Sequence, residues 1–392
     1  MNNKYLIVLL LTLTASINAL QACTAVVVGK KASATGSVIV GHNTDLGGRF
    51  VMRYSLVPAR VHEKGALMVQ EPDAAKIPEL ERSYSFYWAE VKSYTEKYSP
   101  GDHMLNEHGV TLISNNGGVV KEWLGVKYSL KEEGRASELV EGGLKHNFRR
   151  AVIERAKSAR EAINIATNLI ETWGYAMPSR IFTIADKDEA WVLQVVKGRR
   201  YIARRCPDDA VVVYPNSLTI GKIEKGDIVA PHLLNKPEDF HFIREYQGPR
   251  TWRSDYNCYR WRSAYEIAAG IKFGEVEEYP FSTVPARKVS WEDVKNALSC
   301  HRENKSQCDD IIHPFDGQSN TVSVCRRNTK QSMVCVFAPR PEDIVVNVAP
   351  GRPCSTKFQR CRPFAGQLPK GAATGKEAYQ RLLDHIKPLK EF

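Results

Sequence analysis

The sequence lacks the signatures of several large enzyme classes. It contains no H-E-x-x-H zinc motif, no G-x-S-x-G nucleophile elbow and no Walker A loop. The stretch Gly371–Lys376 only imitates a Walker A loop, because its spacing is wrong and no strand is predicted before it. No C-x-x-C pair occurs either, which argues against a metal cluster built on cysteines. These absences favour chemistry without a metal or another cofactor.

Long apolar runs are also scarce. Lys4, the apolar run Tyr5–Leu13 and the small residues after it have the layout of a signal peptide that ends at Ala22. The run is too short to cross a bilayer, and no later segment reaches that length. We therefore expect an exported protein, secreted or in a periplasmic or lumenal space, with no membrane contact after signal removal. A first cut after Ala19 would leave residues 20–22 as a short propeptide.

The charge balance argues against nucleic-acid binding. The net charge is +11, but basic residues alternate with acids, as in Lys131–Arg135 (KEEGR). No polybasic tail and no basic-aromatic motif of a known nucleic-acid reader occurs. The expected partner is a small substrate, and a homo-oligomer is left open.

The cysteine count is informative in an exported chain, where cysteines tend to pair. The chain has nine, so at least one is left over. If the eight later ones form four disulfides, Cys23 is the remaining thiol. Disulfides are favoured over a metal cluster, but their pairing cannot be read from the sequence. The eight are Cys206, Cys258, Cys300, Cys308, Cys325, Cys335, Cys354 and Cys361.

The stretch Ala22–Asp45 organises the prediction. Two β-rich runs, Thr24–Gly29 and Ser37–Gly41, flank a turn, and a hairpin centred near Ser33 would pair positions that sum to about 66. This register brings Asn43 and Asp45 beside Cys23. A thiol, a new chain terminus and a carboxylate would then meet at one end of one hairpin.

The rest of the chain mixes strands with a few helices, which favours one α+β domain over residues 23–392. We predict helices over 148–172, 257–271, 291–300 and 377–386 from their apolar spacing. Strands are predicted over 51–69, 84–91, 181–185, 190–196, 211–214, 322–325 and 333–337. A strand-turn-strand corner is predicted over 104–114, with its turn at 106–109.

Cleavage after Ala22 would make Cys23 an N-terminal residue that carries both a nucleophile and a base. Its α-amine, with an ordinary pKa of about 7.7–8.0, could accept the proton of a thiol whose pKa is about 8.5. No distant histidine is needed. A competing interpretation uses the same cysteine: Leu20–Cys23 resembles a bacterial lipobox, and lipidation would block both groups. Gln21 is large and polar for that motif.

Side chains elsewhere could complete such a site. Asp45 is a natural partner for the amine of Cys23. An amide at a strand end could donate a hydrogen bond to a developing oxyanion; the candidates are Asn106, Asn115, Asn116 and Asn216. Arg260 or Arg262 could bind a substrate carboxylate through two parallel hydrogen bonds.

With these residues assembled, the chain resembles the dipeptidase A family of N-terminal-nucleophile cysteine hydrolases, which is related to choloylglycine hydrolases and penicillin V acylases. The resemblance follows ordered patches from Cys23 to about Ala268: Ala22–Thr24, Gly41–Asp45, Asn106–Val110, Ala151–Ile163, Asp186–Leu193, Pro207–Asn216 and Tyr256–Arg262. A looser match follows at Ala349–Pro353.

The resemblance implies a four-layer αββα sandwich of two antiparallel sheets and hydrolysis of amide bonds. It implies that Cys23 is the nucleophile, that Asp45 orients its amine, and that Asn216 and Asn116 serve the oxyanion. The family commonly has arginine where this chain has His42, so a substrate contact at that position would be made by an imidazole. The leading hypothesis is an exported cysteine dipeptidase. An acylase of bile-salt or penicillin V type and a lipid-anchored binding protein are the alternatives.

Overall fold

A computed structural model describes residues 23–68, 71–94, 103–131, 138–248, 251, 255–274, 276, 278, 280–301 and 323–386. It contains seventeen strands within these ranges: β1 (Thr24–Val28), β2 (Ile39–Asp45), β3 (Phe50–Val57), β4 (Arg60–Val61), β5 (Arg82–Ser83), β6 (Phe86–Ser93), β7 (His103–Asn106), β8 (Thr111–Asn116), β9 (Tyr175–Ala185), β10 (Ala190–Gly198), β11 (Arg200–Arg205), β12 (Val211–Tyr214), β13 (Ile228–Val229), β14 (Thr329–Val336), β15 (Val345–Ala349), β16 (Gln359–Cys361) and β17 (Ala373–Thr374).

Six α-helices lie in the same ranges: α1 (Phe148–Ile153), α2 (Ala159–Trp173), α3 (Phe242–Tyr246), α4 (Asp255–Ala269), α5 (Trp291–Leu298) and α6 (Gly375–Leu383). No helix in the described part of the chain is long and apolar enough to cross a membrane.

Two large sheets contain most of the strands. The first has the order β12-β1-β2-β14-β15-β16, and every pair in it is antiparallel. The second has the order β13-β11-β10-β9-β8-β7-β6-β3-β17. It is antiparallel except at one edge, where the two-residue strand β17 runs parallel to β3.

Side chains along the strands of the first sheet point alternately to its two faces, and each face packs against a different layer. Residues such as Ala25 and Val27 point to a core that they share with the second sheet, while Val26 and Val28 point to the opposite face. Helices α4 and α5 cover that opposite face, and α1 and α2 pack against β7–β10 of the second sheet. The arrangement is helix, sheet, sheet, helix, which confirms the predicted α+β sandwich.

The opening hairpin forms with a register one residue away from the predicted one. Thr24 faces Asn43 and Val28 faces Ile39, so paired positions sum to 67. Directly opposed residues share a face of the sheet, and faces alternate along a strand. The carboxylate of Asp45 therefore lies on the face of Thr24, whereas the predicted register would have put it on the face of Cys23.

The predicted helix over 148–172 is divided into α1 and α2. Ser158 begins the second helix as its N-cap, accepting a hydrogen bond from the Glu161 backbone N–H at 3.1 Å. The Asn106 amide donates to the carbonyls of Ile153 and Ala156 at 2.9 and 2.7 Å, which satisfies backbone groups at the break. A polar side chain from the neighbouring β7 thus ends α1, which apolar spacing alone could not indicate.

Other predicted elements differ in extent. Strand β3 stops at Val57, well short of the predicted end at residue 69, which lies outside the described residues. Residues 323–325 form a bend instead of the predicted strand, and Val322 is not among the described residues. Strands β11 and β15 were not predicted.

Candidate active site

Cys23 lies at the start of β1, a central strand of the first sheet, and its side chain is buried. Burial is the main reason why the pKa of its thiol is raised to about 11, and the nearby charge of Asp45 raises it further. A hydrogen bond from the Asp45 backbone and the charges of Arg180 and Arg260 act in the opposite direction. In the chain as encoded, the nitrogen of Cys23 is joined to Ala22 by a peptide bond, so it is not a free amine.

Arg260, on α4, connects Cys23 to the predicted oxyanion residue. Its Nη1 donates to the carbonyl oxygen of Cys23 at 2.7 Å and to Oγ1 of Thr24 at 3.1 Å. Its Nη2 donates to Oδ1 of Asn216 at 3.1 Å and to Oδ1 of Asn257 at 2.7 Å. The side chain is fully buried, so these charge-assisted bonds form away from water. One guanidinium therefore fixes the backbone of Cys23 and the orientation of an amide.

Asn216 follows β12 and turns its amide nitrogen toward β8. With Oδ1 held by Arg260, its Nδ2 donates to the carbonyl oxygen of Asn116 at 3.0 Å. An amide nitrogen carries two protons, so this contact uses one of them. The side chain of Asn116 has another role, because its Oδ1 accepts from the Gly118 N–H at 2.8 Å. Of the two amides assigned to the oxyanion, Asn216 is thus the one oriented by Arg260.

Asp45, at the end of β2, is fully buried and lies beside Cys23. Its Oδ1 accepts a hydrogen bond from Thr329 Oγ1 at 2.5 Å. Burial raises the pKa of this carboxyl to about 6, against the lowering effects of Arg326, the Thr329 hydroxyl, Arg260 and Lys330. Its second oxygen, Oδ2, has no hydrogen-bond partner among the residues that the structure describes.

His42 lies between the two sheets. Its Nε2 is 2.8 Å from Oδ1 of Asn115 on β8, and its Nδ1 is 3.3 Å from Oγ1 of Thr44. Burial lowers the pKa of this imidazole to about 4, the Asn115 hydrogen bond raises it, and the charge of Arg149 lowers it further. At neutral pH a neutral ring therefore links β2 to β8.

The structure distinguishes Arg260 from Arg262, which the sequence could not rank as substrate contacts. Positions 260 and 262 are two residues apart, which places them on different sides of α4. Arg262 is half-buried, and its guanidinium carbon lies 4.9 Å from the centre of the Tyr259 ring.

Two further oxyanion candidates have other contacts in the structure. Asn106 stabilises the α1–α2 break, and Asn115 binds His42.

Several residues of this site were not predicted. Asn257 precedes Arg260 by one helical turn, a spacing that could have indicated it. Thr329 and Arg326 reach Asp45 from 281 or more residues further along the chain, and no local pattern marks them. Arg180, on β9, acts on the thiol from the second sheet.

Comparison with known proteins gives several relatives that are named dipeptidases. A probable dipeptidase of Latilactobacillus sakei is 26% identical over 349 residues, which cover 84% of this chain and 71% of that protein. A dipeptidase of Bifidobacterium longum is 26% identical over 366 residues, covering 82% and 66%. A probable dipeptidase B of Streptococcus pyogenes serotype M3 matches over 212 residues, 53% of this chain and 39% of its own length. The chain thus spans less than two thirds of several relatives.

Among solved structures, a mutant of the conjugated bile acid hydrolase from Clostridium perfringens is similar over 90% of this chain and 99% of its own, with 10% identity and a TM-score of 0.37. The model of the family described as "Peptidase family C69" matches residues 22–349, which is most of the chain. This match confirms the resemblance inferred from the ordered motifs between Cys23 and Ala268. The chain belongs to peptidase family C69.

Proposed function

We propose that this chain is an exported dipeptidase whose nucleophile is Cys23, made N-terminal by removal of residues 1–22. The observation that carries the proposal is the hydrogen-bond network through Arg260, which holds Cys23 and Asn216 together in a buried site. The names of the relatives support dipeptides as the substrate class. Export is supported by the signal-peptide layout of the first 22 residues.

Cleavage of the Ala22–Cys23 bond would change the site by adding an amine. The buried Oδ2 of Asp45 could then accept a hydrogen bond from the new α-ammonium, and Oδ1 would keep its bond from Thr329. An ammonium beside the carboxylate favours its ionised form, so the pKa of Asp45 should fall from its raised value in the uncut chain. Maturation and activation of the base would be the same event.

The reaction then needs only groups of this site. The neutral α-amine takes the thiol proton of Cys23, and the sulfur attacks the peptide carbonyl carbon. The negative charge that develops on the carbonyl oxygen is stabilised by a proton of Asn216 Nδ2. Collapse breaks the C–N bond, and the α-ammonium returns its proton to the leaving amine of the C-terminal amino acid. The same amine then deprotonates a water molecule, whose oxygen attacks the thioester carbonyl carbon. The C–S bond breaks, the second amino acid is released, and the α-ammonium returns its proton to the Cys23 thiolate.

The direct test compares Cys23→Ala with Cys335→Ala, a matched loss of a buried cysteine in the core of β14. We expect Cys23→Ala to abolish turnover of a dipeptide panel while its circular dichroism and melting temperature stay near those of the parent. Cys335→Ala should keep its activity. Turnover that survives in correctly folded Cys23→Ala protein would refute the nucleophile assignment.

A second set of measurements tests the substrate class and the maturation. Dipeptides are assayed beside a glycine-conjugated bile salt and penicillin V, and preference for either amide would assign an acylase. Intact mass and N-terminal sequencing of protein from the exported fraction should give a free Cys23. A thioether-linked lipid at that residue would instead assign the anchored binding protein.

A further inference from the structure

Two cysteines that the catalytic proposal does not use lie together next to Asp45. Sγ of Cys325 and Sγ of Cys354 are 3.2 Å apart, closer than two sulfur atoms come in ordinary packing. Cys325 is fully buried and Cys354 is half-buried. They come from different segments, a bend after residue 323 and a turn after β15.

The bend that contains Cys325 leads directly to the residues that control Asp45. Arg326 and Thr329 form a short turn in which the Arg326 N–H donates to Thr329 Oγ1 at 3.0 Å and the Thr329 N–H donates to the Arg326 carbonyl at 3.1 Å. The same Thr329 hydroxyl donates to Asp45. Anything that fixes Cys325 therefore also limits the movement of this turn relative to the carboxylate.

Hydrogen bonds to neighbouring segments also hold the bend. The Cys325 N–H donates to the carbonyl of Cys300 at 2.9 Å, and the carbonyl of Val324 accepts from Asn43 Nδ2 at 3.1 Å. On the other side, Cys354 lies in a turn in which the Thr356 N–H donates to the carbonyl of Arg352 at 2.9 Å. The two turns therefore meet at the pair of sulfur atoms.

We propose that Cys325 and Cys354 form a disulfide bond that fastens the 323–329 turn of the active site to the 350–356 turn. Each thiol would lose one proton and one electron as the S–S bond forms, and a disulfide of a thiol oxidoreductase or of oxidised glutathione would be reduced to two thiols. The sulfurs would approach from 3.2 Å to a bond length of about 2.05 Å. In the cell this inference rests on the proposed export, because an oxidising compartment is required.

A metal site is the competing interpretation of the same residues. His301, Cys325 and Cys354 offer ligand atoms that lie within 4.8 Å of one another. Two thiolates on one tetrahedral zinc ion are about 3.8 Å apart, given Zn–S bonds of about 2.3 Å, so these sulfurs would have to separate. Structural zinc sites also use four protein ligands, whereas the described residues supply three here. The disulfide is therefore favoured.

The chemical test does not depend on activity or on export. Purified wild-type chain is equilibrated with a buffer of oxidised and reduced glutathione, alkylated in denaturant without reduction, and digested with trypsin followed by an Asp/Glu-specific protease. The acidic cuts separate Cys308 from Cys325 at Asp316 and Cys335 from Cys354 at Asp343. We expect peptides 317–326 and 344–357 to be recovered joined, and Cys335 to be alkylated. Alkylation of both Cys325 and Cys354 would refute the disulfide.

Metal analysis of the same preparation separates the two interpretations. Zinc bound one to one, with both thiols becoming reactive to alkylation after chelation, would assign a metal site and overturn the disulfide. The functional consequence is tested with the double variant Cys325→Ser/Cys354→Ser and the control Cys335→Ala. We expect the double variant to melt about 5 °C below the oxidised parent. Adding a reductant should lower the melting temperature of the double variant less than that of the parent, because the variant lacks this bond.

The effect of the disulfide on Asp45 is tested by the pH dependence of kcat/KM, which a general loss of stability would not change. With a looser Thr329 contact, the acidic limb of the kcat/KM profile should shift to higher pH in the double variant and in the reduced parent. An unchanged pH profile together with a lowered melting temperature would reject the proposed influence on the active site. If neither protein shows turnover, the peptide map still decides the pairing, so failure of the catalytic proposal is distinguishable.

Discussion

The hydroxyl of Thr329 donates a hydrogen bond of 2.5 Å to the carboxylate of Asp45, and both groups are buried. The two residues face each other in neighbouring strands, β14 and β2, although 284 residues separate them in the chain. A hydrogen bond to the charged form of a carboxyl lowers its pKa, so Thr329 favours the ionised Asp45 that the proposed mechanism needs.

Thr329→Val should therefore impair activity in a pH-dependent way. Loss of the hydroxyl raises the pKa of Asp45, and we expect the acidic limb of the kcat/KM profile to move to higher pH. The folded state should lose about 1.5–3 kcal/mol, as for other hydrogen bonds to charged groups. Thr329→Ser keeps the hydroxyl and should resemble the parent. Identical acidic limbs for the valine and serine variants would contradict the role of this bond.

Arg260 should be intolerant of a change that preserves its charge. Lysine cannot bond Cys23, Asn216 and Asn257 at once, because it lacks the planar fork of the guanidinium. We expect Arg260→Lys to lower kcat/KM about hundredfold through misplacement of the nucleophile and the amide. Arg262→Lys is the matched control on the same helix, and its activity should stay within a few-fold of the parent. Equal effects of the two variants would contradict the assignment.

Arg180 should affect the reactivity of the thiol. Its charge lowers the pKa of Cys23, so Arg180→Gln should decrease the thiolate fraction at a given pH. We expect alkylation of Cys23 at pH 8 to slow about threefold or more, measured on the tryptic peptide 23–30 of the mature chain. Arg180→Lys keeps the charge and should react at close to the parent rate. If the glutamine variant reacts as fast as the parent, the charge of Arg180 does not lower the pKa of the Cys23 thiol.

His42 should make the fold sensitive to acid. Its pKa is lowered in the folded chain, from 6.5 to about 4, so its stabilising contribution is complete above pH 6.5 and is lost as the pH falls toward 4. The full contribution corresponds to about 3 kcal/mol. We expect His42→Gln, whose amide can still bond Asn115, to lose less stability than the parent between pH 6.5 and 4. Urea unfolding at several pH values gives the free energy of unfolding of both proteins. Equal losses of this free energy between pH 6.5 and 4 would contradict the role of His42.

Much of the site was predictable because its chemistry is local in sequence. The signal-peptide layout and the odd cysteine count singled out Cys23, and the hairpin brought Asp45 near it. Ordered motifs predicted Asn216 and the αββα layers. The strand register was predicted within one residue, yet that residue decides which face carries the carboxylate, because side chains alternate with a period of two.

The remaining features depend on packing between distant segments. The choice of Arg260 over Arg262 follows from which side of α4 meets the first sheet, and two arginines separated by one residue look alike in a sequence. The contact of His42 with Asn115 between the sheets is of the same kind, since 73 residues separate the two in the chain.

By itself, the sequence determined the identity of the candidate nucleophile, through the signal-peptide layout and the cysteine count. Its ordered motifs determined the family, and the resemblance to that family implied the layered α+β fold. Only the tertiary structure decided what surrounds that nucleophile. Asp45 obtains its pKa near 6 from burial and from charges on residues such as Arg326 and Arg260, brought to it by strand pairing and helix packing. Such an environment is a property of three-dimensional proximity, which the order of residues along the chain does not encode locally.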